Sequence, residues 1–68
     1  MNNASVLHRP SFFIRFANLF DEGRALAFPC DDHGSVDLDA LSEPARHNYL
    51  FARAMVGRDF SPPHLVAG

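Results

Sequence analysis

The side chains best able to do chemistry stand together at Cys30-Asp31-Asp32-His33. Cys-x-x-His is half of a zinc site by spacing, with Asp32, His47 or His64 left to complete four ligands. A zinc site of this size shows two ligand pairs, and here there is one. Cys30 and His33 are therefore candidate ligands lacking a second pair, and no metal or other cofactor is expected. The same stretch carries part of a calcium-loop rhythm around Gly34, but that frame places Pro29 first and Ala40 last, where the loop needs Asp and Glu. Cys30 with His33 or His47 has the residue types of a nucleophile and its base. Catalysis also needs an orienting group, an oxyanion stabiliser and a pocket that excludes water, for which so short a chain has little room. The carboxylate pairs Asp21-Glu22 and Asp31-Asp32 fall in turns, where neighbouring carboxylates are solvated and nothing suggests the burial that acid–base catalysis uses. The four glycines are scattered singly, so no phosphate-cradling loop is present. No catalytic residue is assigned, and the expectation is a protein that is not an enzyme.

A second constellation is cationic. Arg46 and Arg53 lie seven residues apart on one flank of a predicted helix, His47 is nearby and Arg58 stands just beyond its end. Such a stripe can read phosphates while Tyr49 or Phe51 stacks on a base. The plainer reading is a solvated rim whose guanidinium stems cover apolar helix surface. The formal net charge of -2 favours the plainer one, because general polyanion binding needs several clustered cations. Arg46, Arg53 and Arg58 remain the possible nucleic-acid contacts.

These residues must be positioned by a chain of 68 residues, short enough that folding buries only about 60% of its unfolded surface. Chains of this size gain stability from disulfides, a metal or association. One cysteine cannot form an internal disulfide, so association or a metal is left as the route. No apolar run approaches the ~20 residues of a membrane span, and the opening residues lack the blocks of a secretory signal. A cytoplasmic protein without a membrane partner is expected.

Residues 1–10 read as a flexible N-terminal arm and residues 61–68, with Pro62 and Pro63, as a flexible Pro-rich tail. Residues 11–60 form one small α+β domain. Asp21-Glu22-Gly23 and Asp32-His33-Gly34 each supply an Asp to open a turn and a Gly for a left-handed position. Taken as three-residue hairpin loops, they predict strands at about 12–20, 24–30 and 35–38, pairing Phe16 with Phe28 and Ile14 with Cys30. One face then carries Phe12, Ile14, Phe16, Phe20, Leu26, Phe28, Cys30, Val36 and Leu38, and both loops agree on that parity. Phe12, Phe13, Phe16, Leu19 and Phe20 also share one side of a helix, so strand and helix both stay open there. Pro29 would remove a ladder bond to the third strand.

From about residue 42 to 56 a helix is predicted: Ser42 as N-cap, Pro44 in the first turn, Gly57 as the stop. Ala45, Tyr49, Ala52 and Val56 make the stripe that covers the sheet. The expected fold is thus an antiparallel β-hairpin or three-stranded meander packed on one C-terminal α-helix. Apolar residues exceed what this packing can cover, which marks Phe13, Ala17, Leu19, Ala27 and Leu50 as candidate interface residues.

The phrases Phe28-Pro29-Cys30-Asp31, Gly34-Ser35-Val36-Asp37-Leu38, Leu41-Ser42, Ala45-Arg46, Asn48-Tyr49-Leu50 and Ala52-Arg53 resemble short, uncharacterised bacterial proteins of similar length. The resemblance covers about residues 12 to 60 and implies a stand-alone small protein, with no activity to carry over. The functional expectation is a small non-catalytic interaction or regulatory protein acting through exposed apolar surface, as a homodimer or on a larger protein. The alternative is a nucleic-acid-binding regulator using the helix arginines.

Overall fold

A computed structural model describes residues 11–68; the N-terminal arm expected over residues 1–10 lies outside them. Strand β1 (Phe12–Phe16) is followed by a 3-10 turn at Glu22–Arg24 and strand β2 (Leu26–Cys30). A second 3-10 turn (Leu38–Ala40) leads to helix α1 (Glu43–Ala54), and strand β3 (His64–Ala67) follows the helix. The three strands form one antiparallel sheet in the order β2-β1-β3, which makes this an α+β fold.

Residues 12–16 are strand, and the helical alternative is closed. FFIRF is rich in β-branched and aromatic residues, and both its edges find partners. The β1–β2 register pairs Ile14 with Phe28 and Phe16 with Leu26, two residues away from that expected. Asn18 explains the shift. Its side-chain oxygen accepts the N–H groups of Phe20 (2.8 Å) and Asp21 (3.0 Å), so the chain leaves strand geometry before Asp21-Glu22-Gly23 is reached. Asp21 then caps a 3-10 turn through Gly23 N–H, and Gly23 has no positive φ. A slip of two preserves parity, so Phe16 and Phe28 still point into the core, but Phe20 is thrown outward and is 81% exposed.

The second loop does contain the left-handed glycine, Gly34 at φ 82°, yet no strand follows it. Residues 35–38 run irregularly into the Leu38–Ala40 turn, with Val36 and Leu38 packed half-buried against the core. The third strand comes instead from the segment read as a flexible tail. β3 occupies the free edge of β1, pairing Ile14 with Leu65 and Phe12 with Ala67, so α1 sits between β2 and β3 in the chain and not at its end. Two prolines precede β3 without preventing it. Ser61 N–H donates to Ala17 C=O at 2.9 Å while Arg15 pairs with His64, which leaves Pro62 and Pro63 together opposite Phe16. That is a bulge, a place where a strand tolerates proline.

Pro29 likewise lacks the predicted effect. Gly68 N–H donates to Ser11 C=O, and antiparallel alternation then directs the bonding groups of odd-numbered β1 residues to β3 and of even-numbered ones to β2. Phe13 and Pro29 therefore face each other as a non-hydrogen-bonded pair, with the proline nitrogen on the outer edge. The neighbouring Asp31 N–H, also outward, is satisfied by Ser35 C=O at 3.0 Å.

Helix α1 begins as its sequence dictates. Ser42 Oγ accepts Ala45 N–H, Glu43 occupies the first turn beside Pro44, and Arg53 stands in the last turn. Met55 closes it, its carbonyl accepting the N–H groups of Arg58, Asp59 and Phe60, in a turn that Gly57 permits at φ 91°. The helix lies on the even face of the sheet. Phe16, Phe28, Tyr49, Ala52 and Phe60 are the buried core, with edge-on ring contacts at 5.2 Å between Phe28 and Tyr49 and 6.1 Å between Phe16 and each of the two. α1 covers β2 and β1 but leaves β3 open, so Leu65 on the same face is 49% exposed.

Candidate functional site

The Cys30–His33 segment is built as a turn. Asp31 Oδ1 accepts the N–H groups of Ser35 (2.8 Å) and His33 (2.9 Å), and Asp31 C=O accepts Gly34 N–H. Those bonds, Ser35 first, hold the Asp31 carboxyl below the ordinary aspartate range. The imidazole of His33 stands in solvent beside Asp32, Nε2 to Oδ1 3.5 Å. Cys30 is half-buried at the rim of a hollow of about 370 Å³ formed with Pro29, Val36, Asp37 and Leu41. Burial, and then the negative charge of Asp31, push the Cys30 thiol above its ordinary value, opposite to what activates a nucleophile. Among the described residues no three His, Cys, Asp or Glu side chains gather where they could hold one metal ion.

The arginines are dispersed in their engagements. Arg46 Nη2 is 2.7 Å from Glu43 Oε2, one helical turn away. Arg53 donates to the Tyr49 hydroxyl at 2.9 Å with its guanidinium carbon 5.7 Å from the ring centre. Tyr49 is itself a core residue and is not available to stack on a base. Arg58 is exposed in the turn after the helix.

The expected interface residues fall in separate places. Phe13 and Ala27 are on the odd, outer face of the sheet, where Phe13 is half-buried under the Gly68 backbone and Ala27 is exposed. Ala17 is half-buried at the end of β1, and Leu19 is exposed in the β1–β2 connection. Leu50 is exposed on α1, across the sheet from the outer face.

Sequence reasoning did not place four further apolar residues, Phe20, Phe51, Leu65 and Val66, on the open surface. Phe20 and Phe51 (42% exposed) line a groove of about 720 Å³ with Arg24, Asn48, Asp59 and Phe60. The groove is held together by Leu19 N–H donating to Asp59 C=O at 2.9 Å and by the perpendicular rings of Phe51 and Phe60, 6.1 Å apart. Its lining offers aromatic surface, one guanidinium, one carboxylate and two amides. Leu65 and Val66 on β3 are the other open pair, at 49% and 40%. The signal for Phe20 was the Asn two residues before it, which takes the backbone out of the strand. For Leu65 and Val66 the signal was a short apolar run after Pro-Pro.

The fold and surface define a small α+β protein with a three-stranded antiparallel sheet and one covering helix. Comparison with protein families, curated proteins and solved structures found no match. Among the described residues no helix is long and apolar enough to cross a membrane.

Proposed function

We propose that this chain is a small non-catalytic interaction protein that works as a homodimer through the apolar surface a single copy leaves open. The observation that supports this reading is the imbalance of its apolar residues. The buried core consists of Phe16, Phe28, Tyr49, Ala52 and Phe60, while Leu19, Phe20, Leu50, Phe51, Val56, Leu65 and Val66 stay exposed among the described residues. Single exposed apolar side chains are ordinary on any protein. Phe20 and Phe51 are instead neighbours along one groove, while Leu65 and Val66 open the two opposite faces of β3, and this much uncovered apolar surface on so small a chain favours association. Sedimentation equilibrium from low to high micromolar concentration tests the proposal: a reversible dimer is expected, and a monomer throughout overturns it.

The nucleic-acid reading has less behind it. Arg46 and Arg53 already have intramolecular partners, and Tyr49 is buried. Its mark would be affinity for an oligonucleotide that falls steeply with salt and is lost when Arg46, Arg53 and Arg58 are replaced by Ala.

A further inference from the structure

We infer that the dimer forms at the outer edge of β3, where a second copy adds antiparallel to give one continuous sheet, β2-β1-β3-β3′-β1′-β2′; this rests on the homodimer reading above. The hydrogen bond from Gly68 N–H to Ser11 C=O fixes which groups are free. His64, Val66 and Gly68 exchange bonds with β1, so the N–H and C=O groups of Leu65 and Ala67 point away from the sheet. Among the described residues nothing pairs with that edge, and all four residues of β3 are exposed. Native sheets guard such edges with lysines, inward-pointing charges or prolines in the strand, and His64–Ala67 carries none of these.

The edge is self-complementary in one register. A two-fold axis between Val66 and Val66′ sets Leu65 opposite Ala67′ and Ala67 opposite Leu65′, so that all the outward groups of these residues bond. Sliding the copies toward Pro63 places a residue without an N–H in a bonding position. The same register continues the side-chain rows on both faces. On the outer face the row Pro29–Phe13–Val66 meets its own copy, Val66 against Val66′. On the helix face Phe28–Ile14–Leu65 meets Ala67′–Phe12′–Cys30′. Cross-strand apolar pairs of this kind stabilise a sheet. His64 falls opposite Gly68′, so no like charges meet.

Two variants test the edge apart from the dimer. Leu65→Pro removes an outward N–H together with the leucine side chain at the seam and leaves the hydrogen bonds to β1 whole; it is expected to raise the dimer dissociation constant about tenfold or more while the far-UV circular dichroism stays native. Val66→Cys in a Cys30→Ser background is expected to form an interchain disulfide on mild oxidation, because facing residues of a non-hydrogen-bonded pair lie within disulfide reach. Leu50→Cys in the same background is the control and is expected to stay reduced. The cross-link decides where the two readouts differ, including the case in which Leu65→Pro does not fold. A wild-type monomer removes the homodimer reading and this one together. A wild-type dimer whose Val66→Cys variant does not cross-link overturns the β3 edge alone.

Discussion

Replacing Phe16 and Phe20 separately by alanine distinguishes the observed register from the one that the turn residues suggest. Phe16 is fully buried and meets three rings edge-on, Phe28 and Tyr49 at 6.1 Å and Phe60 at 6.5 Å. Truncating a buried Phe costs about 3–5 kcal/mol, and the loss of three aromatic partners places Phe16→Ala toward the upper end. A chain of this length has about 3–10 kcal/mol in total, so the variant is expected to lose at least about 12 °C of Tm or its cooperative transition altogether. Phe20 is 81% exposed, and its removal is expected to change stability by no more than about 0.5 kcal/mol, or a few degrees. The assay is urea unfolding at one fixed protein concentration, since association would otherwise enter the result. Tyr49 is the only tyrosine and there is no tryptophan, so its fluorescence reports the core directly, with circular dichroism as a second probe. Comparable losses from both variants would refute the reasoning, because they would put Phe20 inside and return β1 to the loop-defined register.

Two further outcomes follow from backbone and charge. Gly57→Ala is expected to cost about 1–2 kcal/mol from its left-handed φ alone, since a Cβ there meets nothing within 4 Å, and to lower the urea midpoint with the m-value unchanged; an unaltered midpoint would contradict the turn geometry. The Asp31 carboxyl is held below its ordinary value by the N–H groups of Ser35 and His33, so its contribution to stability is complete above about pH 3.9 and is lost as pH falls through the lowered folded value. Asp31→Asn keeps the acceptor oxygen but cannot ionise; it is expected to flatten the acid limb of the stability profile, and identical limbs would deny Asp31 that role.

What was legible in the sequence was local. Ser42, Pro44 and Gly57 bracket α1 to within about two residues because capping and stop signals are short-range chemistry. The inward parity of Phe16 and Phe28 survived a wrong register because a slip of two residues does not change faces. The stripe on α1 was right at Tyr49 and Ala52, half-buried at Ala45 and exposed at Val56, where the chain is already leaving the helix. β3 was not legible, since four residues after two prolines carry no periodicity and their partner is decided by which edge of β1 is vacant. The same non-local fact scattered the expected interface: Phe13 and Leu50 are both unneeded by the core, yet the sheet lies between them. The partners of the helix arginines were legible in part, because Glu43 and Tyr49 lie one helical turn from Arg46 and Arg53 and engage them.

The central position of β1 has a kinetic consequence. One of its ladders joins neighbours linked by a short connection, while the other joins residues about 50 positions apart along the chain. The hairpin can therefore close early, whereas the second ladder waits for a loop that encloses α1 and almost all the described residues. Topology of this kind slows folding relative to helical proteins of the same length. It also leaves a transient species in which β1 has one unpaired edge, and FFIRF, with one charge in five residues, is the segment that species would present to another chain. Docking of β3 ends that exposure, so the segment that looked most dispensable in the sequence is the one that covers the second edge of β1.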